Sequence, residues 1–312
     1  MTHRTRNLLS AVVTCLVALL PACAGRSPVA GNRVAPVEGR PGLIATEALG
    51  ARGAHATILD VRPEWTDYLQ NHIPGAAWLN IETLRASDHG LPFQLLPGET
   101  YAMLFSRLGV QRDQPVIIYS AGETRDIDAT YVAWLLSSLG QSQVSVLDGG
   151  FAKWVFEGRR VDQRYPEARV PDFPNRGLAA EIATLTDVRA ATESHNVLLV
   201  DARNPQQFAG AAGAQIRRGH IPGAVNHPWT TDLEKRDFAL VWKTQAELKA
   251  SYSTQGITAD RDIIVYCNTG TEASHVYFAL RYLLGYPRVR IYAGAWSEWA
   301  AHDEVPVVIG EN

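Results

Sequence analysis

Of the three cysteines in this 312-residue chain, Cys267 has the surroundings of a nucleophile. A β-branched run at 263–266 precedes it and reads as a buried strand. After it, Ala273, Val276, Tyr277, Leu280, Leu283 and Leu284 fall on one helix face, which Gly285 and Pro287 bring to an end. Between strand and helix lies the loop Cys267-Asn268-Thr269-Gly270-Thr271-Glu272-Ala273. A short loop centred on glycine can turn its N–H groups inward, and a helix N-terminus adds partial positive charge. Both favour an anion on the sulfur. A thiol with a pKa of about 8.5 is only slightly ionised at neutral pH, so amides that lower it would raise nucleophilicity. In an open parallel α/β domain this junction, at the carboxyl end of a strand, is where ligands bind.

The elements that position this loop occur twice. An offset of 147 residues pairs Gly109 with Gly256, Asp113 with Asp260 and Tyr119 with Tyr266, and it puts Ser120 opposite Cys267. His72-Ile73-Pro74-Gly75-Ala76 returns as His220-Ile221-Pro222-Gly223-Ala224, Asp60-Val61-Arg62 as Asp201-Ala202-Arg203, and Gly149…Trp154 as Gly294…Trp299. The order of landmarks is the same in both halves, as in a duplicated domain. Strands are expected at 58–61, 116–119 and 144–147, and again at 197–200, 263–266 and 289–292. Interleaved with helical patterns, they specify two doubly wound α/β domains, each with a central parallel sheet flanked by helices. The boundaries expected are 41–164 for the first domain, 165–180 for a proline-rich linker and 181–312 for the second.

Composition agrees with two folded domains: 46% of residues are hydrophobic and 20% charged. A net charge of −3 argues against a nucleic-acid partner, which would call for a basic face. The cysteine count excludes a disulfide scaffold or a cysteine-rich zinc module. Residues 1–22 read as an export signal: Arg4 and Arg6, then an apolar run from Leu8 to Leu20, too short to span a bilayer. The boundary Leu20-Pro21-Ala22-Cys23-Ala24-Gly25 is similar to a lipoprotein processing box, so the expectation is a lipid anchor on Cys23. Residues 23–40 would be a tether, with the protein held at a membrane in the periplasm or on the cell surface. An ordinary cleaved signal with Cys23 merely near the cut is the other reading.

Together, the duplicated domain, the Asp-x-Arg and His-Ile-Pro-Gly-Ala landmarks, the strand–Cys-x-x-Gly–helix loop and Trp299 resemble the tandem rhodanese-type sulfurtransferases, over about residues 43–305. The resemblance implies a silent first domain, with Ser120, and a catalytic second one, with Cys267. It implies that Cys267 takes a sulfane sulfur from a small-molecule donor as a persulfide and passes it to cyanide or a thiol. Asn268, Thr269, Gly270, Thr271, Glu272 and Ala273 would form the active-site loop, and no metal or organic cofactor is implied. Thiosulfate-preferring members carry basic residues where this chain has Asn268 and Thr269. Mercaptopyruvate-preferring members have a serine where Thr269 stands, linked to an acid of the first domain at the position of Glu82. Donor-binding arginine is replaced by Gln207, so Arg217 and Arg218 are the substitute candidates. Either donor remains open.

Gln207 and the acidic Glu272 also leave open a persulfide-binding protein that does not turn over. A phosphatase on this fold needs Cys-x5-Arg, and the sixth position after Cys267 is Ala273, which offers no bidentate phosphate clamp. The remaining landmarks read as structure, because they recur in the half without cysteine. Asp60/Arg62 and Asp201/Arg203 are expected as internal ion pairs, His72 and His220 as loop braces, and Trp154 and Trp299 as core anchors. Asp126 and Asp128 are expected in a solvated loop rather than at a metal.

Overall fold

The computed structural model describes residues 41–310 apart from 53–54, 124–126, 168–169, 172, 174–176 and 179–180. The leader, the tether, Cys23, Asp126 and part of the linker thus lie outside the described residues. Fourteen strands are described. The first half holds β1 (Gly42–Ile44), β2 (Thr57–Asp60), β3 (Ala76–Trp78), β4 (Arg85–Asp88), β5 (Leu91–Leu95), β6 (Val116–Tyr119) and β7 (Val144–Leu147). The second holds β8 (Ile182–Ala183), β9 (Val197–Asp201), β10 (Val225–Asn226), β11 (Leu233–Arg236), β12 (Ala239–Trp242), β13 (Asp262–Tyr266) and β14 (Val289–Tyr292).

Each half builds a five-stranded parallel sheet, in the orders β1-β7-β6-β2-β3 and β8-β14-β13-β9-β10. The two orders are the same once the repeat is laid on itself, as the constant offset requires. The central strands β6 and β13 are runs of Val, Ile and Tyr, buried along their length apart from Asp262, because helices cover both faces of a parallel sheet. Outside each sheet, one antiparallel hairpin stands apart, β4–β5 in the first half and β11–β12 in the second.

The core is shared. Helix Ile127–Ser138, which follows the silent loop, packs on helix Thr271–Tyr277, which follows the cysteine loop. Helix Ile127–Ser138 is buried on almost every side, so it has no polar face to give water. Its Thr130 hydroxyl lies 3.2 Å from that of Ser274. The hairpins reach in opposite senses across this contact. From β12, the Leu240 amide donates to Gly122 O at 2.6 Å and the Trp242 amide to Asp148 Oδ1 at 3.0 Å. From β4, Arg85 reaches the cysteine loop.

Candidate active site

Cys267 begins where β13 ends. Its carbonyl accepts from the Trp296 amide at 2.8 Å, and the Asn268 carbonyl accepts from the Ser297 hydroxyl at 2.7 Å. The loop is therefore anchored to helix Ala295–Trp299 before it turns. The turn itself needs Gly270, at φ +88° and ψ −20°, a left-handed conformation that costs a residue with a Cβ about 1–2 kcal/mol. There the Gly270 amide faces back and donates to Cys267 Sγ at 3.1 Å. The amides of Thr269 and Ala273 also favour the thiolate, so three loop N–H groups act on the sulfur in the same direction.

The sulfur is also fully enclosed, at 0% exposure, and this departs from the expectation of a reachable, ionised thiol. The three amides favour the thiolate, but burial outweighs them and the Glu272 carboxylate adds to it, pushing the thiol up to about 12. In this covered geometry Cys267 keeps its proton. The cover includes the first domain: Tyr131 lies 3.8 Å from where a Cβ on Gly270 would stand, and Arg85 donates to Thr271 Oγ1 at 3.1 Å and to Thr269 O at 3.4 Å.

Glu82 meets the loop indirectly. Arg85 Nε donates to Glu82 Oε2 at 2.8 Å and Nη2 to Oε1, so a guanidinium stands between the carboxylate and the two threonines. The Thr269 and Thr271 hydroxyls are 3.4 Å apart. The structure thus brings Glu82 and Thr269 into one network, joined by a residue that sequence reasoning missed. Asn268 Nδ2 donates to Gln207 Oε1 at 3.2 Å, so two neutral side chains meet there. Arg217 is turned away: its guanidinium donates to the carbonyls of His302 and Val305. Arg218 is exposed.

The duplicated landmarks brace both halves alike. Arg203 holds Asp201 through Nε at 2.9 Å and Nη2 at 2.5 Å and also donates to Gly219 O. Arg62 does the same with Asp60 and Asn71 O. Both pairs are buried, where removing one partner costs about 3–5 kcal/mol. His72 stacks on Tyr68 and His220 on Phe208, each with Nδ1 on the carbonyl of its stacking partner. Trp154 and Trp299 bond the Arg160 and Pro306 carbonyls through Nε1. Asp128 is buried in helix Ile127–Ser138 rather than in a solvated loop. Among the described residues, no group of three His, Cys, Asp or Glu side chains is placed to hold a metal.

Ser120 and Gly122 of the first half are tightly packed. Ser120 Oγ accepts from the Ala129 amide at 2.9 Å, and a Cβ on Gly122 would lie 2.1 Å from Gly149 O.

Comparison with known proteins agrees with this architecture. The model of the rhodanese-like domain matches twice, at residues 45–157 and 184–302. The chain is 35% identical to the 3-mercaptopyruvate sulfurtransferase of Escherichia coli over 244 residues, 77% of this chain and 84% of that one. It is 33% identical to the thiosulfate sulfurtransferase of Corynebacterium glutamicum over 258 residues, 77% of this chain and 81% of that one. The crystal structure of SseA from Escherichia coli, a 3-mercaptopyruvate sulfotransferase, superposes with a TM-score of 0.70 at 32% identity, covering 81% of this chain and 98% of that one. Two parallel-sheet domains, a cysteine loop in the second alone, and relatives named for sulfur transfer lead to one conclusion: the chain is a tandem-domain member of the rhodanese family.

Proposed function

We propose that the chain moves a sulfane sulfur from thiosulfate or 3-mercaptopyruvate to cyanide or a thiol, with Cys267 as the carrier. The observation that supports this most is the Gly270 amide donating to the Cys267 sulfur at the end of β13, with the Thr269 and Ala273 amides also favouring its anion. Once its proton is lost, the Cys267 thiolate attacks the outer sulfur of thiosulfate, the S–S bond breaks, and sulfite departs. With 3-mercaptopyruvate the C–S bond breaks, and the carbon leaves as pyruvate after taking up a proton. Either route leaves Cys267–S–S⁻, whose terminal anion the amides would stabilise, as preorganised donors do where charge develops. Cyanide then takes the outer sulfur as thiocyanate and restores the thiolate. Because the covered thiol holds its proton, donor binding has to uncover the sulfur before it reacts.

Turnover with each donor and cyanide, alongside mass spectrometry of Cys267 after donor exposure, tests this reading. One added sulfur together with turnover supports it. One added sulfur without turnover supports the persulfide-binding reading instead. Export and lipidation of Cys23 are proposed on the strength of the 1–25 segment. No helix among the described residues is long and apolar enough to cross a membrane. Palmitate labelling that is lost in Cys23→Ser would support the anchor, and labelling that persists would exclude Cys23 as its site.

A further inference from the structure

Resting on the sulfur-transfer reading, we propose that Arg85 of the first domain is the donor-binding cation of the Cys267 loop, with Glu82 as a counter-ion that the donor displaces. The loop has no cation of its own: Asn268 and Thr269 are neutral, Glu272 is acidic, and Gln207 stands where an arginine was expected. Nearby cations are committed elsewhere, Arg203 to Asp201 and Gly219 O, Arg217 to the carbonyls of His302 and Val305. Arg85 touches the loop directly, through Thr271 Oγ1 and Thr269 O.

The pair is built asymmetrically. The Arg85 side chain is 5% exposed, and that of Glu82 is 52% exposed. The guanidinium carbon lies 4.8 Å from the Phe93 ring centre and 5.8 Å from that of Tyr131, so aromatic rings from the hairpin and from the buried helix hold it in place. Phe93 sits at φ +63°, a left-handed conformation unusual for an aromatic residue, and such strain gathers at ligand sites. The Glu82 side chain is open to solvent over about half its surface. It presents two oxygens to Nε and Nη2, and a donor's carboxylate or sulfonate-like end offers the same two-oxygen edge. Exchange leaves Arg85 in place, gives the donor a cation beside Cys267, and releases Glu82 to water. The ligand class is therefore a small sulfur donor with an anionic two-oxygen end.

The test is calorimetric binding of thiosulfate and of 3-mercaptopyruvate to full-length Cys267→Ser protein, which binds without reacting. Added to that background, Arg85→Gln should weaken binding by about tenfold or more, and Arg85→Lys should recover part of the loss. Glu82→Gln removes the competitor and should tighten binding. A brace that only holds the hairpin predicts that Arg85→Gln and Glu82→Gln act in the same direction, since either breaks the pair. Same-direction effects, unchanged affinities, or no binding of either donor would overturn the proposal. Glu82 is half-exposed, so its variant should keep the fold even if Arg85→Gln does not. In the intact enzyme the Glu82→Gln change should appear as a lower KM at similar kcat. Opposite shifts with no sulfur loaded onto Cys267 would leave the anion site standing and remove the transfer chemistry. Sulfur loading with the two variants moving affinity together would do the reverse.

Discussion

Replacing Gly270 by alanine isolates the contribution of the loop amide. The site is open around the missing Cβ, with the nearest atoms 3.8 Å away, so the added methyl group meets no steric obstacle. The cost is conformational: φ of +88° charges alanine about 1–2 kcal/mol, partly offset by the smaller entropy of its unfolded chain, about 0.4–1 kcal/mol. The net loss of about 1 kcal/mol should lower Tm by about 2–4 °C in a chain of this size. Relieving that strain rotates the amide now 3.1 Å from Sγ away from the sulfur. Removing one donor from an anion-stabilising cradle costs about 10²–10³ in rate. Persulfide formation, followed by rapid quench and mass spectrometry, should slow by about that much in Gly270→Ala. Gly75→Ala and Gly223→Ala are matched controls, at φ of +81° and +76° with nothing within 4 Å of the added Cβ. They should lose similar stability and keep their rate. If Gly270→Ala forms persulfide at the wild-type rate, or the controls slow as much, the amide does not do what is claimed for it.

Three further outcomes follow from the same geometry. Moving the thiol into the first half, as Ser120→Cys with Cys267→Ser, should give no sulfur loading and no alkylation of the native protein, because residue 120 is buried and Gly122 beside it packs tightly on Gly149; loading at residue 120 would contradict this. Burial holds the His275 imidazole at about 4 against an ordinary 6.5, so between those values the unfolded chain binds a proton that the folded one excludes. Stability present above about pH 6.5 is then lost as pH falls toward 4, by up to about 3 kcal/mol. His275→Leu should therefore flatten the acid limb of Tm against pH, and an unchanged limb would rule out this origin. Alkylation of Cys267 by a neutral reagent in donor-free protein should climb about tenfold per pH unit across the neutral range, because the thiol is pushed up to about 12. A plateau near pH 8 would show that the free protein spends its time with the sulfur uncovered.

The repeat made most of the fold legible. Val116–Tyr119, Val144–Leu147 and Val289–Tyr292 fall where β-branched runs placed them, β9 and β13 are each one residue longer at one end, and β2 is shifted by one residue toward the N-terminus. The cysteine loop was legible for the same reason, since strand, glycine and helix are local in sequence. Features that depend on how the two halves meet were not. Cys267 is enclosed because helix Ile127–Ser138 and the β4–β5 hairpin press against its loop, and no periodicity records that contact. Arg85 lies 184 residues from Thr269 in a hairpin whose sequence carries no motif. Its one available signal was a lone arginine three residues after Glu82, at helical spacing for an ion pair. Arg217 was read from its position in the chain, which does not show that the carbonyls of His302 and Val305 take up its donors.

The central claim is that Cys267 itself carries the transferred sulfur, and peptide mass spectrometry on the full chain tests it most directly. After exposure to thiosulfate or 3-mercaptopyruvate, the peptide containing Cys267 should gain one sulfur atom, lose it on addition of cyanide as thiocyanate appears, and gain nothing in Cys267→Ser. Thiocyanate accumulating at the wild-type rate from Cys267→Ser, or from protein whose Cys267 never gains mass, would contradict the account.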